Sequence, residues 1–386
     1  MIAILVLGVL PLLVWVWLLT NRGGFWLARE RDDRGESLRP PPGWPPVVAV
    51  VPARDEADVI AHSLGSLLAQ DYPGPFKIIL VDDQSGDGTA EVARETARRL
   101  DAEDRLEVLS GAPRPAGWTG KLWAVKQGIE RARSSEPVYM WLTDADIAHT
   151  PDNLRRLTSR AQTRGLTLVT LMAKLHCATF AERLLVPAFV FFFDMLYPFG
   201  WVNDPKRGTA AAAGGCMLLR RDALERAGGI EAVRGEIIDD CAVGRLMKRQ
   251  GPIWLGLTNR AVSLRPYQDI DEVRRMVSRS AYAQLDYSPW KLAGTVVGML
   301  VIYLAPPILA LSWDGWARVL GLVAWALMVI AFAPMLRFYR QSWLWGLALP
   351  LIGVLYTLFT LDSAIQVWRG RGGMWKGRVQ ALAART

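Results

Sequence analysis

Apolar positions are segregated along this chain rather than spread through it. Residues 1–20 are almost uninterruptedly apolar, long enough to span a bilayer as one helix. No Lys or Arg precedes this run and no small-x-small site follows it, which separates it from a secretory signal. Arg22, Arg29, Arg31 and Arg34 follow closely. The positive-inside rule then places the chain start outside and the next domain in the cytoplasm. Residues 21–45 are polar, basic and Pro-rich, a linker pattern. Apolar runs of spanning length return at 292–311, about 316–336 and about 343–367. Arg337 and Arg340 mark a cytoplasmic loop between the last two, and the tail 369–386 is basic again. Three clean crossings would carry that tail outside, against the rule. A re-entrant hairpin over the last run, which contains Gly346, Pro350 and Gly353, would keep it inside. Both arrangements stand, so 291–368 holds two or three membrane segments.

Between these regions, residues 46–290 alternate short apolar runs with helical periodicity. Val47–Val51, Lys77–Val81, Val138–Leu142 and Leu166–Leu171 read as strands. Glu56–Gln70 reads as a helix with Val59, Ile60, Ser63, Leu64, Leu67 and Leu68 on one face, and Thr89–Leu100 as another. The expectation is an α/β domain, a mixed, mostly parallel sheet flanked by helices. Ligands of such sheets bind beyond the carboxyl ends of the strands. Residues 184–202 are aromatic-rich and interrupted by Pro187, Asp194 and Pro198. They read as buried core or, in a membrane-anchored chain, as an interfacial segment that admits a lipid.

Composition agrees with this segregation, since 51% hydrophobic and 21% charged residues must occupy different stretches. Seventeen Trp favour a membrane–water interface. A net charge of +8 fits nucleic acid, an anionic membrane or phosphorylated substrates. No nucleic-acid-binding signature is present, so the membrane reading is preferred. Cys177, Cys216 and Cys241, like His62, His149 and His176, lack metal-ligand spacing. They read as core or surface groups, and the thiols fit a reducing cytosol.

The candidate chemistry lies in loops that follow strands. Pro52-Ala53-Arg54-Asp55-Glu56, Asp82-Asp83-Gln84-Ser85-Gly86-Asp87-Gly88-Thr89 and Thr143-Asp144-Ala145-Asp146 should share one sheet edge. Carboxylates crowded there call for a cation or hydrogen-bond donors. Asp144 and Asp146, two apart in extended chain, would face one Mg²⁺ or Mn²⁺, with diphosphate and water completing the shell. A second Asp-x-Asp, Asp269-Ile270-Asp271, opens a helical pattern, and Asp271 reads there as an N-cap. The Asp82/Asp83 loop reads as a turn with Asp87 capping the next helix, or as a nucleoside contact. Lys121 is either a solvated side chain after a turn or a cation beside phosphates. Asp239-Asp240, opening a helix, are either capping groups or hold a general base. Gly214-Gly215 would admit a sugar to the backbone or serve packing.

In this order, VPARDEADVI at Val51–Ile60, VDDQSGDGT at Val81–Thr89, GWTGKLWAVKQG at Gly117–Gly128 and LTDADIAHTPDNL at Leu142–Leu154 resemble family 2 glycosyltransferases of the GT-A fold. So do Pro187–Pro205, AAAAGGCMLLRR at Ala210–Arg221, IIDDCAVGRLMK at Ile237–Lys248 and Ser278–Pro289. The chain is most similar to the hopene-associated glycosyltransferases of bacterial hopanoid gene clusters, with carotenoid-type glycosyltransferases as neighbours. The resemblance implies an inverting enzyme in the bacterial inner membrane, with its catalytic domain in the cytoplasm. It would move a sugar from a nucleotide donor, UDP-linked by preference, to a lipid acceptor. The donor would meet Pro52, Arg54, Glu56, Asp82, Asp83, Lys121, Asp144, Gly214 and Gly215. Asp144 and Asp146 would hold the metal, and Asp240 or Asp239 would act as base. Processive members carry Gln-x-x-Arg-Trp, which is absent here, implying transfer of a single sugar.

Overall fold

The computed structural model describes residues 2–34, 42–375 and 378–379. Part of the linker and half of the basic tail lie outside the described residues. The chain divides into two compact units.

The unit formed by residues 30–176, 201–266 and 374–386 holds an eight-stranded sheet. Its strands are β1 (Val47–Ala53), β2 (Phe76–Asp82), β3 (Leu106–Ser110), β4 (Tyr139–Leu142), β5 (Ile147–His149), β6 (Leu168–Lys174), β7 (Met217–Arg220) and β8 (Ile253–Ser263). The order is β3-β2-β1-β4-β7-β6-β8-β5. β1 pairs in parallel with both β2 and β4, so the chain changes direction across the sheet between β1 and β4. In open α/β sheets that switch point is where ligands bind. Every residue of β1 is buried, as expected for a central strand covered on both faces.

The four expected strands exist, and four more join them. β7 follows a run dominated by Ala and Gly, and the apolar pattern of β8 is interrupted by Thr258, Asn259 and Arg260. β3 is a partly exposed edge that carries Glu107, and β5 has only three residues. The helix expected over Glu56–Gln70 begins at Ile60, with Ile60, Ser63, Leu64, Leu67 and Leu68 buried. Residues before it donate elsewhere: Glu56 N–H to Thr89 Oγ1 at 2.9 Å and Ala57 N–H to Asp87 Oδ2 at 2.9 Å. Part of the linker is also structured. Asp32 N–H and Leu257 N–H exchange backbone bonds with Leu257 and Glu30 carbonyls, and the buried Asp32 pairs with Arg260 at 3.2 Å.

The second unit, residues 1–29, 177–200 and 267–373, is helical. Three of its helices, Pro289–Ser312, Trp316–Phe338 and Trp343–Trp368, are long and apolar enough to cross a membrane. Helix Phe180–Leu196 buries Leu184, Leu185, Val186, Val190, Phe191 and Phe192, most of the aromatic stretch. Its start is fixed by a reciprocal capping box between Thr179 and Glu182. Glu182, fully buried, also accepts from Tyr267 N–H at 2.7 Å, so its charge is met by hydrogen-bond donors. Asp269, not Asp271, caps helix Ile270–Ser278, accepting from Glu272 N–H at 2.9 Å. Asp269 has the extended backbone a cap needs (φ −141°, ψ 176°), whereas Asp271 sits in the first turn and pairs with Arg274.

Candidate active site

The loops after β1 and β2 are tied into one structure. Asp55 N–H donates to Ser85 Oγ at 3.0 Å, and Gly86 N–H returns to Asp55 Oδ1 at 2.9 Å. Asp55 and Gln84 both adopt left-handed backbone (φ 50° and 58°), a conformation that costs non-glycine residues and is kept where neighbours hold it. Arg54 lies over the buried Asp83, its Nη1 3.7 Å from Asp83 Oδ2. Asp82 is the more open of the two acids, and its Oδ1 accepts from Ser85 N–H at 3.2 Å. Asp87 accepts from Thr89 N–H at 3.1 Å, but the N-cap of helix Thr89–Arg99 is Gly88, one residue later than the expected Asp87.

The Asp144-Ala145-Asp146 triplet is not extended. It forms a turn between β4 and β5, with Ile147 N–H donating to Asp144 C=O at 3.3 Å. A three-residue β5 running back beside β8 requires the chain to reverse there, which overrides the expected alternation of faces. The turn is anchored from below. Thr143 Oγ1 donates to Gly215 C=O at 2.9 Å and meets His149 Nε2 at 2.9 Å. Burial pushes His149 down to about 3, so the ring is a neutral core group. Gly215 serves packing, since a Cβ there would lie 3.1 Å from Ala173.

Lys121 stands at the start of helix Gly120–Ala132, capped by Thr119. The helix approaches the sheet closely because Gly128 lacks a side chain, and a Cβ there would fall 2.4 Å from Val50. Lys121 Nζ is 2.7 Å from Asp144 Oδ1 and 3.4 Å from Asp239 Oδ2. Burial alone would lower its pKa, but Asp144, Asp239 and Asp240 hold it above the ordinary lysine value. One cation therefore joins the acid after β4 to the acid pair that opens helix Asp239–Lys248. Lys121, Asp144, Gly214 and Asp239 line a narrow cleft, with Pro52 and Met217 beside them.

Asp240 accepts from Cys241 N–H at 2.7 Å and Gly214 N–H at 3.1 Å. Burial, then the neighbouring Asp239 charge, pushes its carboxyl up to about 6 against the opposing pull of Lys121. A Cβ on Gly214 would lie 3.2 Å from Lys121 Nζ and 3.6 Å from Asp240 Oδ2. Gly214 therefore keeps the space between these groups open. The helix carrying both acids rests directly on the Ala run, because Gly244 leaves room for Ala211. A Cβ there would meet the Ala211 carbonyl carbon at 2.6 Å. Gly244→Ala is expected to cost about 1–3 kcal/mol through overpacking and to lower turnover by shifting Asp239 and Asp240. Denaturant unfolding and steady-state kinetics on one preparation check both.

Arg265, just past β8, was not legible as a site residue. Its Nη2 pairs with Glu56, its Nη1 is 3.3 Å from Asp58, and its Nε is 3.6 Å from Asp146 Oδ2. Only the β5–β8 pairing, Ile147 opposite Ser263, brings it there. Asp146 is pushed up to about 6 by burial and by Asp144 and Glu56, although Arg265 and Lys121 oppose the shift. The hard carboxylate oxygens of Asp144 and Asp146, whose cationic partners Lys121 and Arg265 are shared with other acids, fit a divalent cation of the Mg²⁺ or Mn²⁺ type. Among the described residues no group of three His, Cys, Asp or Glu side chains could hold an ion.

The profile of the family described as "Glycosyltransferase like family 2" matches residues 45–254. Among curated proteins, the chain is 25% identical over 227 residues to 4,4'-diaponeurosporenoate glycosyltransferase of Staphylococcus aureus, covering 57% of this chain and 56% of that protein. It is 30% identical over 126 residues to glycosyltransferase AglE of Haloferax volcanii, covering 32% and 38% respectively. The matches therefore span little more than half of these relatives at most. Among solved structures, the mannosyltransferase PcManGT of Pyrobaculum calidifontis, in complex with GDP-Man and Mn²⁺, superposes with a TM-score of 0.56 at 19% identity. That alignment covers 95% of this chain and 98% of the other, a likeness of fold.

Proposed function

Because the chain belongs to glycosyltransferase-like family 2, we propose that it transfers a single sugar, with inversion, from a nucleotide sugar to a hydroxyl of an apolar, hopanoid-like lipid at the bacterial inner membrane. The observation that carries this reading is Lys121, which links Asp144 to Asp239 across one cleft. Groups suited to a diphosphate and groups suited to an acceptor hydroxyl thereby share a site. Asp144 and Asp146 would hold a divalent cation, which supplies neutralisation of the leaving diphosphate. Lys121 places a second positive charge at the same edge. Asp240 receives the proton of the acceptor hydroxyl. Asp239 is partly neutralised by Lys121, whereas Asp240 is oriented by two backbone N–H groups and has its basicity raised, which favours Asp240 as the base. Arg54, Glu56, Asp82 and Asp83, on the tied loops after β1 and β2, would meet the nucleoside. The three long apolar helices support membrane attachment.

A base near 6 works only when ionised, so activity should rise with pH through about 6 and fall off below it. A kcat/KM profile between pH 4.5 and 8 reads this out, and a profile flat across about 6 counts against Asp240 as base.

The substrates can be identified together. Membranes carrying the protein are incubated with UDP- and GDP-sugars and native lipid extract, with and without EDTA, and the lipids are analysed by mass spectrometry. A glycosylated polycyclic lipid supports the proposal, a glycosylated carotenoid redirects the acceptor, and no product from any donor removes the enzymatic reading.

A further inference from the structure

The last apolar segment of the helical unit turns back on itself. The 3₁₀ turns Trp343–Ala348 run along helix Trp316–Phe338 from its C-terminal end toward its middle. Trp345 meets Phe180 (ring centroids 5.6 Å apart), the missing Cβ of Gly346 admits Val329, and Leu347 C=O accepts from Trp325 Nε1 at 3.2 Å. Helix Leu349–Trp368 then runs the opposite way. Gly353 packs against Tyr303, Phe359 C=O accepts from Ser278 Oγ at 3.0 Å, and Ser363 Oγ accepts from Tyr282 N–H at 3.0 Å. Asp362 pairs with Arg274, and Trp368 stacks edge-on against Tyr282 (5.9 Å). Tyr303 lies deep in the rod Pro289–Ser312, whereas Tyr282 precedes its start. The final helix therefore returns to the end of the unit where that rod begins.

Charge follows the same division. The turn between the rod and helix Trp316–Phe338 carries Asp314, paired with Arg318 at 3.1 Å, and is locally neutral. At the other end Arg279, Arg337, Arg340, Arg369 and Arg371 are all exposed, and no ion pair joins any of them to a described residue. Trp290, Trp343 and Trp368, 87%, 60% and 61% exposed, belong to the segments at that end and suit a membrane–water interface. An exposed row of unneutralised arginines beside tryptophans is the surface an anionic headgroup layer complements.

We propose that residues 343–368 enter and leave the bilayer from one face, and that the arginine-rich end of this unit sits on the anionic phospholipid headgroups of that face. The proposal rests on the membrane reading above. In it, only the rod and helix Trp316–Phe338 cross completely among the described C-terminal segments, and residues 369–373 share a side with the 339–342 turn.

The test is cysteine labelling of the full chain in sealed vesicles of both orientations. Asp314→Cys, Arg340→Cys and Arg371→Cys are exposed to a membrane-impermeant maleimide, with the unsubstituted chain as background for its own thiols. Arg340→Cys and Arg371→Cys should label in the same orientation and Asp314→Cys only in the other. Labelling of Arg371→Cys together with Asp314→Cys would mean a third crossing and overturn the hairpin. Labelling of all three in both orientations, with release by alkaline carbonate, would instead overturn the underlying membrane reading. For the headgroup contact, the purified protein and a variant with Arg337, Arg340, Arg369 and Arg371 all changed to Gln are compared by native mass spectrometry in mixed phosphatidylglycerol–phosphatidylcholine nanodiscs. Wild type should retain phosphatidylglycerol preferentially and the variant should lose that preference; equal retention by both would overturn the contact.

Discussion

Asp240→Asn should lower kcat by about 10²- to 10⁴-fold, the range over which a positioned general base contributes. The substitution is nearly isosteric. An Asn carbonyl can still accept from Cys241 N–H or Gly214 N–H, so the helix start should keep its place, but the amide takes no proton from an acceptor hydroxyl. Melting temperature should stay within a few degrees of wild type, and the rise of activity through about pH 6 should disappear with the lost carboxylate. Single-turnover transfer from a radiolabelled donor separates the chemical step from product release. Asp239→Asn is the comparison. It removes one of the partners of Lys121 and should cost less than the loss of the base. The experiment also distinguishes acceptors. A polyisoprenyl phosphate brings an oxygen that is already anionic and needs no base, so an Asp240→Asn enzyme that kept most of its activity would move the reaction to that class.

The parts of this site that were legible in the sequence follow from local rules. An apolar run that ends in Asp or Gly marks a strand and the loop beyond it, and a parallel sheet sends such loops to one edge. The loops around Arg54, Asp82 and Asp144 were therefore identifiable from residue order alone. What was not legible depends on partners distant in the chain. Arg265 reaches Asp146 only because β5 pairs with β8, and a three-residue strand leaves almost no periodic signal. β7 was hidden because Ala210–Gly215, which precedes it, suggests loop or packing. The turn conformation of Asp144–Asp146 follows from the chain reversal into β5, whereas a two-residue spacing alone suggests extended chain. Asp269 and Asp271 were separable as caps only by backbone angles. In the helical unit, hydropathy sees apolar length and not direction. The last run therefore read equally as a span or a re-entrant hairpin, and the packing of Gly346 and Gly353 on two different helices lay outside that signal.

Removal of divalent metal is expected to have the other large effect. Asp144 and Asp146 are crowded with Glu56 at one edge, and the cations that meet them are Lys121 and Arg265. Lys121 is shared with Asp239, and Arg265 is shared with Glu56 and Asp58. Neither is free to neutralise an incoming diphosphate by itself. EDTA should therefore abolish turnover, and Mg²⁺ or Mn²⁺ should restore it. Asp144→Asn and Asp146→Asn should each lower kcat/KM by roughly 10³-fold, on the order of 4 kcal/mol of lost electrostatic stabilisation. The readout independent of activity is Mn²⁺ binding followed by electron paramagnetic resonance with nucleoside diphosphate present, where both variants should bind markedly more weakly than wild type. The two substitutions differ in a further respect. Asp144→Asn removes the closest charge partner of Lys121, so Lys121 is left to Asp239 and its hold on the acid pair tightens. Asp146→Asn leaves that link intact and releases Arg265 toward Glu56. Loss of Mn²⁺ binding in both variants is the pattern this wiring predicts. Unchanged Mn²⁺ binding in either variant would remove that carboxylate from the metal site.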